Sequence, residues 1–127
     1  MFNRNRELTE EERKWNLMWD MWVQEEAISP YAELMEYDSE VNNGGHSQYF
    51  FNVANCSDLK SAVEKILPIL PEPLNENLKK AYDAFSGQED ICDDENDDLF
   101  GECDRVFYDN EQCLLDLLKM YAHSMVL

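Results

Sequence analysis

Apolar residues recur along this chain at intervals of three and four, and no stretch shows a sustained period-two alternation of β-branched residues. Trp15, Met18, Trp19 and Trp22 stand at i, i+3, i+4 and i+7, with Thr9 and Glu12 ahead of them as a capping box. This predicts a first helix running to about Ala27. Its three tryptophans form a bulky stripe suited to core packing, with a dimer interface as the alternative. Ser29-Pro30 reads as an N-cap followed by a first helical residue, opening a second helix with Tyr31, Leu34, Met35, Asp38 and Val41 on one face. That helix is expected to stop at Asn42-Asn43-Gly44-Gly45, where positive φ costs little, and a short aromatic helix follows from about His46 to Ala54.

Ser57 is placed to cap the next helix, which carries Leu59, Ala62, Val63, Ile66, Leu67 and Leu70 until Pro68 and Pro71-Glu72-Pro73 break it. Leu74, Leu78, Ala81, Tyr82 and Phe85 mark another, ending near Ser86-Gly87. Leu99, Cys103, Val106 and Phe107 suggest a sixth, and Leu114, Leu115, Leu118, Tyr121, Ala122 and Met125 a seventh. The expectation is an all-α fold, a single compact domain of about seven helices with short connections over residues 1–127. Residues 1–28 would hold the N-terminal helix and residues 29–127 the rest.

Composition supports a folded core, because 44% of residues are hydrophobic and 12% aromatic, well above what a disordered acidic chain carries. Cys56, Cys92, Cys103 and Cys113 include no CxxC pair and no tight spacing to either histidine, so reduced thiols are expected rather than zinc ligands or a disulfide framework. No apolar run approaches the roughly 20 residues of a membrane span, and no signal peptide is apparent, so a cytoplasmic protein without a membrane partner is expected.

Charge changes the picture most. Twenty-eight acids against ten basic residues leave a formal charge of −18. From Gln88 to Asp104 the chain carries Glu89, Asp90, Asp93, Asp94, Glu95, Asp97, Asp98, Glu102 and Asp104 without one Lys or Arg. Such a surface repels nucleic acid and anionic lipid and steers basic surfaces toward it, although a charge run can also be merely a solvated face. Read as a calcium loop from Asp94, the block places Leu99 where the turn needs glycine and Arg105 where a bidentate glutamate belongs. His46 and His123 lie far apart, and no nucleophile elbow, phosphate loop, dinucleotide fingerprint or HExxH helix occurs. Neither a metal, a cofactor nor an enzymatic activity is expected.

Glu40 through Asn52, reading EVNNGGHSQYFFN, is too specific for a generic loop. Without a lysine nearby its glycine pair is poorly suited to phosphate. A helix corner fits better, with Asn43, Gln48 and Asn52 bonding loop carbonyls and amides and with Tyr49, Phe50 and Phe51 buried.

The same segment resembles the signature of the bacterial DNA-mimic family typified by the neisserial DNA-mimic protein, formerly a domain of unknown function. A second similarity is Asp104-Arg105-Val106-Phe107-Tyr108, an aspartate three residues before a Phe-Tyr pair, and the resemblance spans about Ser29 to Tyr121. The matching positions are Asn42, Asn43, Gly44, Gly45, Gln48, Tyr49, Phe50, Asn52, Asp104, Phe107 and Tyr108, which the resemblance marks as scaffold. His46 stands where that family more often has an aromatic or apolar residue. The resemblance implies an all-α protein, often dimeric, whose acidic face replaces the phosphates of duplex DNA on the DNA-binding surface of a helix-turn-helix regulator.

Carboxylates three or four residues apart on a helix lie about 5–6 Å from one another, a spacing of the same order as that between phosphates. Candidate phosphate-mimicking acids are Glu25, Glu26, Glu33, Glu36 and Glu40 in the first half of the chain. In the second half they are Asp90, Asp93, Asp94, Glu95, Asp97, Asp98, Glu102 and Asp109. Two functions follow as expectations. One is a non-enzymatic DNA mimic that sequesters a basic regulator or nucleoid protein, without binding nucleic acid itself. The alternative is an immunity protein or antitoxin that caps a basic nuclease-type toxin.

Overall fold

The computed structural model describes residues 7–56, 58–86 and 94–127. Among them are five α-helices and no strand: α1 (Glu10–Val23), α2 (Tyr31–Cys56), α3 (Leu59–Ile66), α4 (Leu74–Ser86) and α5 (Asp94–His123). A 3-10 turn, Leu67–Ile69, joins α3 to α4 and carries Pro68. The fold is all-α as expected, but the helices number five rather than about seven, for two physical reasons.

The first is that the glycine pair bends the chain without ending the helix. Gly44 (φ −159, ψ 18) and Gly45 (φ 80, ψ −178) leave helical geometry, and α2 resumes at once with His46. The second is that the two apolar sets near the C-terminus form one stripe. Cys103, Phe107, Leu114, Leu118 and Tyr121 are all buried along α5, and no Gly or Pro interrupts residues 107 to 114. The polar residues between them stay helical, and the Asn110 side chain donates to the Val106 carbonyl one turn back at 2.9 Å. With 30 residues, α5 is the spine of the molecule. Helices α1, α2 and α4 pack on it, and α3 packs on α2.

Thr9 and Glu12 form the expected capping box at the start of α1, each side chain taking the other's amide at 3.0 Å. The helix ends at Val23, short of Ala27, because Glu25 turns to φ 61. The Glu25 amide then donates to the Trp22 carbonyl at 3.0 Å and the Glu26 amide to that of Met21 at 2.7 Å. This is a Schellman stop with glutamate where glycine is usual, so no residue marks it in advance. At α3 the cap is Asp58, whose carboxylate accepts from the Ser61 amide at 3.1 Å, while Ser57 lies outside the described residues. Ser29 uses its hydroxyl on the Glu33 carboxylate at 3.0 Å.

Tyr37, Tyr49, Phe50 and Phe107 are the largest fully buried side chains. Tyr37 meets Tyr49 and Phe107 edge to face at centroid distances of 4.9 and 5.4 Å. Phe51, expected inside, is 62% exposed. A helix turns about 100° per residue, so a face that buries Tyr49, Phe50 and Val53 sends Phe51 outward. The tryptophan stripe packs against this core, with Trp15–Trp19 and Trp19–Trp22 edge-to-face pairs at 6.2 and 5.4 Å. Tyr31 stacks on Tyr121 at 4.4 Å, and the Tyr121 hydroxyl accepts from the Ile28 amide at 3.1 Å, tying the α1–α2 link to α5. Cys103 and Cys113 are free thiols, the first buried. Among the described residues no helix is long and apolar enough to cross a membrane.

Candidate functional site

The corner of α2 is held by one turn of α5. Gly45 takes φ 80, and a Cβ added there would strike the Asp104 carboxylate. That close approach lets Asp104 Oδ1 accept from the His46 amide at 2.8 Å and meet the His46 ring Nδ1 at 2.6 Å. A carboxylate only accepts, so Nδ1 carries the hydrogen. On the far side of the fully buried ring, Nε2 lies 2.6 Å from the Tyr37 hydroxyl. Burial first, then the Tyr49, Cys103, Asp104 and Asp38 charges, push the Tyr37 phenol well above its ordinary range, so it keeps its proton.

One turn further along α5, the Tyr108 hydroxyl donates to the Val41 carbonyl at 2.9 Å, the last turn before the kink. Phe107 places its buried ring against Tyr37 and His46. The Asn42 amide spans the Asp38 carbonyl at 2.8 Å and the Glu111 carboxylate at 2.6 Å. Across the kink, Gln48 and Asn52 both donate to Glu40 Oε2, at 3.0 and 2.8 Å, and so clip together the two limbs of α2. They were expected to bond loop carbonyls and amides; the Glu40 carboxylate takes both side chains instead. Asn43 and Gly44 lie exposed at the bend.

The acids fall into two helical stripes. On α2, Glu33, Glu36 and Glu40 occupy one flank, all half-buried. Burial first, then the Glu40 and Glu33 charges, raise the Glu36 carboxyl above its usual range. Glu25 and Glu26 are exposed at the end of α1. On α5, Asp98, Glu102 and Asp109 are exposed at intervals of four and seven, and Asp116 extends the line. Arg105 lies on the same face. Asp90 and Asp93 fall outside the described residues, and Asp94, Glu95 and Asp97 are described only as backbone of the first turn of α5. Among the described residues no three His, Cys, Asp or Glu side chains gather as a metal site.

One pair was not foreseen. Asp38, only 6% exposed, faces Glu111, and its carboxyl is pushed up to about 8. Burial is the main cause, followed by the hydrogen bond to Glu111 and that residue's charge, with Asn42 opposing. The available signal was a carboxylate on the apolar face of Tyr31, Leu34, Met35 and Val41.

These features define an all-α protein that mounts rows of acids on helices locked by a polar corner. Residues 31–125 match the family model of the DMP19-like proteins, and the chain belongs to that family, the DNA-mimic family that its Glu40–Asn52 and Asp104–Tyr108 segments resemble. No curated protein and no solved structure matches it. The match begins at the first residue of α2, so α1 precedes it.

Proposed function

We propose that the chain is a non-enzymatic mimic of double-stranded DNA that occupies the basic DNA-binding surface of a transcriptional regulator or another DNA-binding protein. Membership of residues 31–125 in the DMP19-like family carries this reading. The exposed row on α5 supports it. At about 1.5 Å rise per residue, Asp98 and Glu102 stand about 6 Å apart along the axis, and Glu102 and Asp109 about 10.5 Å apart. One strand of duplex DNA places a charge every 3.4 Å, so the row supplies about one carboxylate for every two or three phosphates. Against the background of −18, such a row attracts Lys and Arg before contact and pairs with them on contact.

The corner contributes by fixing α2 against α5, so the acids are already arranged before a partner arrives and less ordering entropy is lost on binding. Capture from host lysate at low salt, followed by elution in a salt gradient, tests this reading. The expected result is a DNA-binding protein released as salt rises and displaced by added duplex DNA, since the Debye length shrinks to about 10 Å at 0.1 M. Retention that ignores both salt and duplex contradicts it.

A further inference from the structure

Three contacts fix how the second limb of α2 runs past α5. The Tyr108 hydroxyl donates to the Val41 carbonyl at 2.9 Å, the Asp104 carboxylate accepts from the His46 amide at 2.8 Å, and the Phe50 and Phe100 ring centroids lie 6.0 Å apart. Positions on α2 rise from Val41 to Phe50 while their partners on α5 fall from Tyr108 to Phe100, so the two helices are antiparallel. The next residue along a helix lies about 100° further round, and in an antiparallel pair that step brings both helices to the same side. Ser47 and Phe51 follow the inward-facing His46 and Phe50, and Gly101, Arg105 and Tyr108 follow Phe100, Asp104 and Phe107. These residues therefore bank one furrow between the helices. Phe51 and Tyr108 are 62% and 48% exposed, the most exposed aromatic side chains among the described residues. A Cβ added at Gly101 would meet nothing within 4 Å, so the furrow is open there. Glu102 and Asp109 come one residue further round again, which sets the exposed acid row along the α5 edge of the furrow.

Resting on the reading above, we propose that this furrow is the docking site for one basic amphipathic helix of the protein partner. An aliphatic side chain of that helix packs against Phe51 and Tyr108, while Lys and Arg on its flank pair with Asp98, Glu102 and Asp109. The groove between two antiparallel helices is the seat that a third helix fills, and the exposed phenylalanine gives that helix apolar surface to cover. Charge decides the occupant. The furrow runs beside carboxylates on a chain of −18, so a second copy is repelled and a basic helix is drawn in. Arg105, on the bank itself, opposes a helix that is basic all round and favours one whose charge is confined to a flank. Duplex DNA likewise offers DNA-binding helices the apolar methyl group of thymine beside its phosphates. Charge pairs fade as salt rises and apolar burial does not, so Phe51 supplies the part of the affinity that survives screening.

The test titrates two capped, helix-forming peptides of about 18 residues into the full chain by calorimetry. Both carry Lys and Arg on one flank; one has a leucine stripe beside them, and the other has alanine at the same positions. The wild type is expected to bind the leucine peptide about tenfold more tightly, the gain from covering one aliphatic side chain, and to keep that ratio as added salt weakens both. Phe51→Ser should reduce the ratio to less than about threefold while leaving the alanine peptide and the helix content unchanged, because the ring it removes faces solvent. Asp98→Asn/Glu102→Gln/Asp109→Asn should weaken both peptides alike. Val126→Ser, at an apolar position 89% exposed after α5, should change either affinity less than about twofold. Equal binding of the two peptides by the wild type, a leucine preference retained in Phe51→Ser, or a wild-type dimer in sedimentation that Phe51→Ser splits overturns the proposal. If the furrow behaves as described yet no captured protein competes with duplex DNA, the DNA-mimic reading fails and the helix site stands. If a captured protein does compete and Phe51→Ser displaces the duplex as well as the wild type, the reading stands and the helix site fails.

Discussion

The Asp104 carboxylate grips His46 at two points through a single oxygen, the backbone amide at 2.8 Å and the ring Nδ1 at 2.6 Å. The grip depends on the residue before, since Gly45 alone combines φ 80 with a missing Cβ where the carboxylate sits. Gly45→Ala is therefore expected to destabilise the fold by about 2 kcal/mol or more, from left-handed strain plus displacement of Asp104. Urea unfolding followed by circular dichroism checks this, and an unchanged midpoint contradicts it.

Asp104→Ala leaves the buried His46 amide and ring without their acceptor, and a loss of about 2–3 kcal/mol is expected. Asp104→Asn retains a carbonyl oxygen for the amide and should lose less. Equal effects of the two substitutions in thermal unfolding would show that the carboxyl group acts through packing rather than as an acceptor.

Asp38 makes stability depend on pH. Its folded carboxyl is raised to about 8, whereas in the unfolded chain it titrates at about 4. Between these values the folded protein holds a proton that the unfolded chain has released, so this group's contribution to stability is present at low pH and is lost as pH rises toward 8. Asp38→Asn keeps the shape and cannot ionise. It should raise Tm more at pH 8 than at about pH 5, and a uniform shift at both values contradicts the assignment.

Glu25 closes α1 at φ 61, a conformation that costs a residue with a Cβ about 1–2 kcal/mol and glycine far less. Glu25→Gly is expected to stabilise the fold by about 0.5–1 kcal/mol after glycine's greater loss of chain entropy, measured by urea unfolding. A destabilised variant would place the Glu25 side chain in a stabilising role instead.

What could be read in advance followed from local chemistry. Thr9 and Glu12 announce their capping box, and the spacing of Leu74, Leu78 and Ala81 announces α4. The Glu25 stop was hidden because its turn lacks glycine, and α5 was split because Asn110 and Glu111 interrupt the apolar pattern without interrupting the helix. At the site, the asparagines, glycines and aromatics of residues 42–52 mark a corner. Its fastener lies 58 residues away from His46, at Asp104, and no local pattern joins two such positions. Glu40 carries the same charge as Glu102, and only packing shows that one binds Gln48 and Asn52 while the other faces solvent.

If the acids of α5 take the place of DNA phosphates, the chain and duplex DNA compete for one basic surface. A competition assay decides this, using the DNA-binding protein recovered at low salt, a fluorescent duplex carrying its site, and the wild-type chain beside Asp98→Asn/Glu102→Gln/Asp109→Asn. The wild type is expected to displace the duplex, displacement to weaken steeply as salt rises, and the triple variant to displace at least about tenfold less well while keeping its helix content. Undiminished displacement by the triple variant, or a partner that binds chain and duplex together, contradicts it.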